Sequence, residues 1–248
     1  MIDDVSGPAG KDGMTLSVVM PAYNEEGSIR AAVADVERHV LGRLAGSELI
    51  VVDDGSKDQT GPILDELSRA NPQVRVIHQD NGGHGAALMS GLSSAGGDYL
   101  MLLDSDRQIP LESFDRFLEL MEEGYDCVFG VRRRRYDPAL RLWLTRLVRI
   151  SLNLLFHVRI HDANIPYKLL RRDVWEAASR HIPAGTLAPS LFLSIYAKKA
   201  GYRVMEVDVT HRERATGEVS IRRMKLLKFC ATAFSQMLQF RRQIRDVA

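Results

Sequence analysis

The first half of the chain alternates short apolar runs with segments of helical periodicity, and this rhythm constrains the fold more than any other feature. Five apolar runs predict strands, at residues 16–20, 49–52, 74–77, 99–103 and 127–131. Apolar residues recur at helical spacing between them, as Ile29, Val33 and Val36 do. Strands that are continuously apolar and alternate with helices are typical of a parallel sheet covered on both faces. We therefore predict an α/β fold with a mostly parallel sheet flanked by helices.

The second half of the chain predicts more helix than strand. A long amphipathic helix is expected at residues 138–156, with further helices near 171–180 and 189–200. Residues 203–209 alternate like a strand, and a last amphipathic helix is expected at 220–245. The polar residues 1–13 contain Gly and Pro and lack an apolar stretch, so we interpret them as a disordered leader and not a signal peptide.

The composition is that of an ordinary globular protein. Of 248 residues, 45% are apolar and 26% are charged, which excludes disordered and collagen-like chains. Cys127 and Cys230 lie too far apart in sequence to suggest a disulfide framework or a zinc site. No run approaches the roughly 18 apolar residues that span a bilayer. We expect a cytoplasmic protein, either soluble or peripheral on the inner face of the membrane.

Acidic and polar clusters follow three of the predicted strands. They are Tyr23-Asn24-Glu25, Asp53-Asp54 and Asp104-Ser105-Asp106. Ligands of open parallel sheets bind beyond the carboxyl ends of the strands, so these clusters are expected at one site. Asp104 and Asp106 repel each other after a buried strand, and a cation between them would relieve that repulsion. Mg²⁺ or Mn²⁺ takes oxygen ligands and usually also holds phosphates, and Gln108 offers a further carbonyl oxygen.

A glycine-rich loop at residues 81–87 follows the third predicted strand. The chain has neither the G-x-G-x-x-G of dinucleotide-binding folds after its first strand nor a P-loop. The loop is either a flexible turn into a helix or a backbone that lets a nucleotide sugar approach closely. A single loop of this kind does not decide between the two.

Taken together, these motifs have a recognisable order and spacing. They are Pro21-Ala22-Tyr23-Asn24-Glu25, Val52-Asp53-Asp54-Gly55-Ser56, the 81–87 loop, Gly97-Asp98-Tyr99 and Asp104-x-Asp106-x-Gln108-x-Pro110. In this combination the chain resembles glycosyltransferase family 2, and most of all the dolichyl- and polyprenyl-phosphate mannosyltransferases. The resemblance implies one Rossmann-like GT-A domain at residues 14–248 with a C-terminal amphipathic helix. Its nucleotide-sugar half would be residues 14–132 and its acceptor half residues 133–248.

The resemblance also implies roles for individual residues. The nucleotide-sugar site would comprise Pro21, Tyr23, Glu25, Asp53, Asp54, Gly83, Asp104, Ser105, Asp106, Arg214, Ser220 and Arg222. Asp104, Asp106 and Gln108 would hold Mg²⁺ or Mn²⁺ on the diphosphate. The metal offsets charge that develops on the leaving nucleoside diphosphate. Arg132 matches an arginine that faces phosphate groups.

Two later motifs match the family less closely. Asp162 to Lys168 stands where the family often has D-x-x-S-G-F-K, with Pro166 in place of the glycine. Asp162 is a candidate acceptor-side carboxylate or general base, and a salt-bridge or helix-capping role is an equal alternative. In the second motif, His211 to Arg222, one residue is inserted before Ser220. Arg214, Ser220 and Arg222 would close over a diphosphate or acceptor phosphate.

The charge of +1 conceals an uneven distribution. The segments 132–159 and 211–245 each hold seven more basic than acidic residues, so the rest of the chain is acidic. Such segments are either solvated helix faces or surfaces that dock on an anionic membrane.

Three functions are compatible with these features. The first is a metal-dependent, inverting glycosyltransferase that uses GDP-mannose or a UDP-hexose and a polyprenyl or dolichyl phosphate acceptor. The second keeps the donor and uses a soluble glycan or natural-product acceptor. The third is a nucleic-acid-binding module. Against it, the predicted site carries acidic side chains where contacts to nucleic acid would need basic ones, and no aromatic RNA-binding motif occurs. We therefore expect a nucleotide-sugar donor, an anionic acceptor and no nucleic acid.

Overall fold

A computed structural model describes residues 14–132, 150, 152–162, 165–212 and 223–247, with side chains from residue 232 onward in the last segment. The predicted leader lies outside these residues, as do the greater part of the predicted helix at 138–156 and the three predicted site residues Arg214, Ser220 and Arg222. Residues 152–156 are helical, as the sequence predicts.

The elements follow one another in the alternating order that the apolar runs predict. The strands are β1 (Leu16–Ala22), β2 (Glu48–Asp53), β3 (Val74–His78), β4 (Tyr99–Leu102), β5 (Cys127–Arg132), β6 (Lys168–Arg171) and β7 (Val204–Val209). The helices are α1 (Ile29–Val36), α2 (Thr60–Ala70), α3 (His84–Ser94), α4 (Phe114–Glu122), α5 (Arg172–Ser179), α6 (Pro189–Lys199) and α7 (Arg223–Gln243). A π-helical turn at Glu37–Leu41 extends α1, and a 3₁₀ turn at Leu111–Ser113 precedes α4.

The seven strands form one mostly parallel sheet in the order β3-β2-β1-β4-β6-β5-β7. β1 pairs in parallel with β2 and β4, β2 pairs with β3, and β5 pairs with β7. β6 is antiparallel to both of its neighbours, β4 and β5. The sequence predicts every strand except β6, because a four-residue strand bounded by Lys168 and Arg171 forms no apolar run.

Helices cover both faces of the sheet, as its apolar strands require. On one face, α1, α2 and α4 bury residues such as Val33, Leu64 and Phe117. On the other face, α3, α5, α6 and α7 bury Trp175 and Phe240, among others. Among the helices that the structure describes, none combines the length and apolar character needed to cross a membrane.

The direction of the strands brings distant parts of the chain to one edge of the sheet. The parallel strands β1, β2, β3, β4, β5 and β7 all end there. β6 runs the other way, so it starts at that edge and the residues before it lie there too. Candidate residues from residue 21 to residue 212 therefore meet at the carboxyl edge, where ligands of such sheets bind.

Candidate active site

Asp54 organises the glycine-rich loop from the end of β2. Its buried carboxylate accepts hydrogen bonds from Gln79 Nε2 at 2.7 Å and from the backbone N–H groups of Gly82 at 2.9 Å and Gly83 at 2.7 Å. Gly83 has a φ of +86°, a conformation that favours glycine, and α3 begins at the next residue. Asp54 therefore holds the glycine-rich loop in place, a contact that the sequence does not predict.

Asp53 is also engaged within the protein. One carboxylate oxygen accepts the backbone N–H of Ser56 at 3.0 Å, and the other lies 2.9 Å from Nδ1 of His78. Nε2 of His78 lies 3.1 Å from Asp65 on α2. Burial by itself lowers the pKa of His78, but the hydrogen bonds and charges of the two carboxylates outweigh it and raise that pKa. Asp53 thus fastens the end of β2 to β3.

The loop after β1 is fixed against the loop after β2. The backbone N–H of Asn24, whose φ is +53°, donates to Ser56 Oγ at 3.0 Å, and that of Glu25 donates to Thr60 Oγ1 at 2.8 Å. Pro21 is buried at the end of β1, whereas Tyr23 is 44% exposed. Tyr23 therefore presents its ring at the surface of this edge, where a flat nucleotide base can stack.

Asp104 follows β4 and has an unusual environment. Its Oδ1 is buried and has no hydrogen-bond partner among the described residues, and Nε2 of His84 lies 3.9 Å away. Burial raises the pKa of Asp104 to about 6; His84 and Arg132 oppose this rise, and Asp106 and Glu25 add to it. A carboxylate oxygen that is buried without a hydrogen bond is costly, and a bound ion can supply the missing partner.

Asp106 and Gln108 form a short turn that is tied to the end of β7. Asp106 Oδ1 accepts the backbone N–H of Gln108 at 3.0 Å. The backbone carbonyl of Gln108 accepts the backbone N–H of Arg212 at 2.8 Å. The side-chain Nε2 of Gln108 donates to the backbone carbonyl of Arg212 at 3.3 Å. Ser105, between the two aspartates, is buried. The turn therefore joins the first half of the chain to the second.

Arg132 and Asp162 form a bidentate ion pair. Nε and Nη2 of Arg132 donate to the two carboxylate oxygens of Asp162 at 2.7 and 3.0 Å. The Asp162 side chain is 2% exposed and that of Arg132 is 18% exposed. Both oxygens of Asp162 accept bonds from Arg132, so the geometry favours the salt-bridge role over the general-base role. The carboxylate fixes a guanidinium at the end of β5.

One cleft brings together the residues that follow β4 and the end of β5. It is lined by Leu103, Asp104, Asp106, Gln108, Ile109, Arg132, Pro166 and His211. The described residues contain no group of three or more His, Cys, Asp or Glu side chains arranged to hold a metal. Two carboxylates with an amide oxygen nevertheless suit a hard cation that takes its remaining ligands from water and phosphate. The orphaned Oδ1 of Asp104 is the structural observation that supports this fit.

Lys168 begins β6 and is completely buried behind the cleft. Its Nζ donates to Ser190 Oγ and, at 3.1 Å, to the Ser190 carbonyl, and it lies 5.4 Å from the centre of the Phe129 ring. Ser190 Oγ in turn donates to the carbonyl of Ile165 at 3.2 Å. Burial lowers the pKa of Lys168 to about 7; the charge of Asp162 opposes this and that of Arg132 adds to it.

Three residues of this edge were missed or left without a role by sequence reasoning. His84 faces Asp104, His211 lines the cleft, and Lys168 supports the wall that contains Pro166. The sequence signals were a histidine directly after two glycines and the matched positions of the two later motifs. Neither signal specifies a contact, because contacts between loops depend on the strand order.

Comparisons with known proteins agree with this geometry. Residues 17–184 match the family model described as Glycosyl transferase family 2. The undecaprenyl-phosphate 4-deoxy-4-formamido-L-arabinose transferase of Pseudomonas aeruginosa is 34% identical over 214 residues, which are 86% of this chain and 62% of that protein. The Pseudomonas savastanoi pv. phaseolicola protein of the same name is 32% identical over 217 residues, with the same coverage. The chain therefore spans less than two thirds of the length of these relatives.

Solved structures show the same fold. Glucosyl-3-phosphoglycerate synthase from Mycobacterium tuberculosis, in complex with uridine diphosphate, aligns with a TM-score of 0.68 and 22% identity over 94% of this chain and 82% of its own. The same protein with Mn²⁺, uridine diphosphate and phosphoglyceric acid aligns with a TM-score of 0.66 over 94% and 80%. These alignments confirm the predicted GT-A architecture.

Proposed function

Because this chain belongs to glycosyltransferase family 2, we propose that it transfers a sugar from a nucleotide-diphospho-sugar to the phosphate of a polyprenyl phosphate. In this reaction an acceptor phosphate oxygen bonds to the anomeric carbon with inversion, and the bond from that carbon to the donor diphosphate breaks. The observation that carries the proposal is the single cleft that holds Asp104, Asp106 and Arg132 at the carboxyl edge of the sheet. The names of the relatives, which act on undecaprenyl phosphate, support the acceptor class.

The donor site in this proposal lies over the loops that follow β1, β2 and β3. Tyr23 offers a ring to the base, and the glycine-rich loop, fixed by Asp54, leaves backbone space beside the sugar. Asp53 stabilises the loop after β2 through its contacts with Ser56 and His78.

Asp104, Asp106 and Gln108 are the residues that would hold Mg²⁺ or Mn²⁺ in this cleft. When bound there, the cation supplies positive charge beside the diphosphate that leaves. The chain itself supplies a second positive charge at Arg132, which Asp162 holds in a fixed orientation. A preorganised charge of this kind stabilises developing negative charge without reorganisation during the reaction.

The ion pair also favours a phosphate acceptor over a hydroxyl acceptor. A phosphate is already anionic, so it can attack without transferring a proton to a base. Asp162 is bonded through both of its oxygens to Arg132, which suits an orienting residue better than a base. A soluble glycan or natural-product acceptor would need a base for its hydroxyl proton, and this is the second candidate function.

A transfer assay with a matched pair of variants tests the proposal. Asp106→Asn removes a carboxylate charge from the cleft, and Glu176→Gln removes one from the exposed face of α5, near the opposite edge of the sheet. With Mn²⁺ and a panel of nucleotide sugars, we expect wild type and Glu176→Gln to transfer sugar to polyprenyl phosphate. We expect Asp106→Asn to lose about 10²-fold or more, the usual cost of removing one transition-state charge contact.

The acceptor arms of the assay decide between the candidate functions. Transfer to polyprenyl phosphate but not to its unphosphorylated alcohol supports the phosphate acceptor. Transfer to a soluble glycan alone contradicts it and establishes the second candidate. Full activity of Asp106→Asn contradicts the metal assignment. Thermal shifts with each nucleotide sugar identify the donor independently, since a ligand stabilises the fold that it binds.

A further inference from the structure

A second groove lies outside the cleft, along the helical segment at 152–156 and the extended residues that follow it. It has a volume of about 340 Å³ and is lined by Ile150, Asn153, Leu154, Val158, Arg159, Ile160 and His161. This volume lies within the range of about 300–1,000 Å³ that is usual for ligand pockets. None of these residues takes part in the contacts that form the cleft.

The groove presents apolar side chains where a folded chain usually hides them. Leu154 is 69% exposed and Ile150 is 51% exposed. They are four positions apart, a spacing that places two helical residues on the same side. Leu152 and Phe156, on the other side of the same turns, are buried in the core. Apolar side chains therefore lie on both sides of this segment. Packing against the core explains the buried Leu152 and Phe156 but not the exposed Ile150 and Leu154.

The other end of the groove is polar and firmly held. His161 Nδ1 pairs with Glu206 on β7. Lys198 donates to the carbonyl of Arg159 at 2.5 Å and to Glu206 at 2.8 Å. The Arg159 side chain remains exposed beside these contacts. The groove thus runs from an apolar stripe to an end that carries an exposed guanidinium.

The polar end of the groove is next in the chain to a residue that supports the cleft. Asp162 follows His161 in the chain and forms the bidentate pair with Arg132, which lines the cleft. Asp162 therefore connects the groove residue His161, its neighbour in the chain, to the guanidinium of Arg132. An elongated ligand with an apolar body and an anionic head suits this arrangement. Its apolar body would contact Ile150 and Leu154, and its anionic head would face Arg132.

We propose that this groove binds the isoprenoid chain of the lipid phosphate acceptor and directs its phosphate past His161 towards Arg132. This inference rests on the proposed function and adds to it a location for the apolar part of the acceptor. The chain lies against Ile150 and Leu154, and the groove selects long acceptors over short ones.

The test compares Leu154→Asp with Phe234→Asp in detergent solution without bilayers. Phe234 is 46% exposed on α7 and does not line the groove, so it is a matched control for loss of an exposed apolar residue. Each protein is assayed with undecaprenyl phosphate and with geranyl phosphate, whose isoprenoid chain is much shorter and is expected to make fewer contacts in the groove. For Leu154→Asp we expect the KM for undecaprenyl phosphate to rise about tenfold, as expected for loss of one apolar side-chain contact. The KM for geranyl phosphate and that for the donor should stay within twofold of wild type.

Three results would overturn the groove assignment. They are an unchanged KM for undecaprenyl phosphate, an equal rise for both acceptors, and an equal effect of Phe234→Asp. The last of these would indicate a general apolar surface instead of a specific groove. Because both substitutions are at exposed positions, we expect the unfolding temperatures to stay within about a degree of wild type. That result would exclude a folding defect as the cause of a change in KM.

A binding measurement separates this inference from the proposed function. A fluorescent polyprenyl phosphate is titrated into each protein without donor. Tighter binding to wild type than to Leu154→Asp supports the groove even if no sugar is transferred, whereas absence of transfer by wild type contradicts the proposed function alone. Equal binding by both proteins contradicts the groove alone.

Discussion

Arg132, Asp162 and Lys168 show how single residues set the chemistry of this edge. Asp162 is buried with its two oxygens on Arg132, and Lys168 is buried behind them with its amine on Ser190. Removing one partner of a buried ion pair usually costs about 3–5 kcal/mol, because the other charge is left without compensation. The positions are therefore coupled, and a substitution at one of them changes the electrostatics of the others.

Lys168 gives the protein a pH-dependent stability that a single substitution reveals. Its pKa is lowered to about 7 in the folded chain, against an ordinary value of 10.5 in the unfolded chain. Between these values the unfolded state binds one more proton, so the contribution of Lys168 to the free energy of unfolding rises with pH. We expect the stability of wild type, relative to that of Lys168→Met, to increase from pH 7 to pH 10.

Urea unfolding at several pH values measures this effect. Lys57→Met, which removes an exposed lysine side chain, serves as the control for the loss of a positive charge at the surface. A difference between wild type and Lys168→Met that stays constant from pH 6 to pH 10 would contradict the shifted pKa. The buried amine would then have to titrate like an exposed one.

At the scale of elements, the sequence predicts the sheet well and the connections between loops poorly. Apolar runs locate β1 to β5 because strands covered on both faces are apolar along their length, and an alternating pattern locates β7. The sequence does not predict β6, because its four residues are too few to form a recognisable apolar pattern. They are buried because β6 lies between β4 and β5. The same limit applies to the site. The clusters at residues 23–25, 53–54 and 104–106 were predicted to converge, but the contacts of Asp54 with the 79–83 loop follow from the register of β2 and β3.

The start of α3 packs against the loop before α6 so closely that a methyl group does not fit. A Cβ added at Gly85 would lie 2.3 Å from the carbonyl oxygen of Thr186 and 3.1 Å from the Leu187 backbone. The same loop is held from α7 by Gln236, which bonds the backbone of Gly185 and of Leu187 at 3.1 Å each. Neither backbone can move away without breaking other contacts.

We therefore expect Gly85→Ala to destabilise the protein by about 1–3 kcal/mol, the usual cost of overpacking. For a chain of this size, that corresponds to a fall of about 2–12 °C in the unfolding temperature. Gly27→Ala is the matched control, since a Cβ there meets nothing within 4 Å and its φ is not positive. Equal unfolding temperatures for the two variants would show that the loop yields easily.

At the scale of the whole molecule, the balanced charge of +1 is an average over unlike regions. Acidic residues gather at the cleft, whereas the segments at 132–159 and 211–245 are basic. Much of both segments lies outside the described residues, but Arg241 and Arg242 are exposed on α7. This distribution favours a peripheral position on an anionic membrane, which would bring the chain to a lipid-phosphate acceptor.

Sedimentation with vesicles tests this position. We expect the protein to pellet with anionic vesicles at low salt and to remain in the supernatant at about 1 M salt, where the screening length falls to about 3 Å. Arg241→Glu with Arg242→Glu should weaken the association, and Arg116→Glu, an exposed reversal on α4, is the control on the other face of the sheet. Absence of pelleting with anionic vesicles at low salt would contradict the peripheral position.

The antiparallel strand β6 also determines when the cleft can form during synthesis. The strands β3, β2, β1 and β4 are complete once residue 102 has emerged, and they pair with one another without help from later residues. β5 emerges next and has no partner, since both of its neighbours, β6 and β7, come after residue 167. Chains of this size fold through intermediates as synthesis proceeds. A nascent chain should thus acquire its nucleotide-side framework early, leave β5 as an unpaired edge until β6 has emerged, and become competent for catalysis only when its last strands arrive.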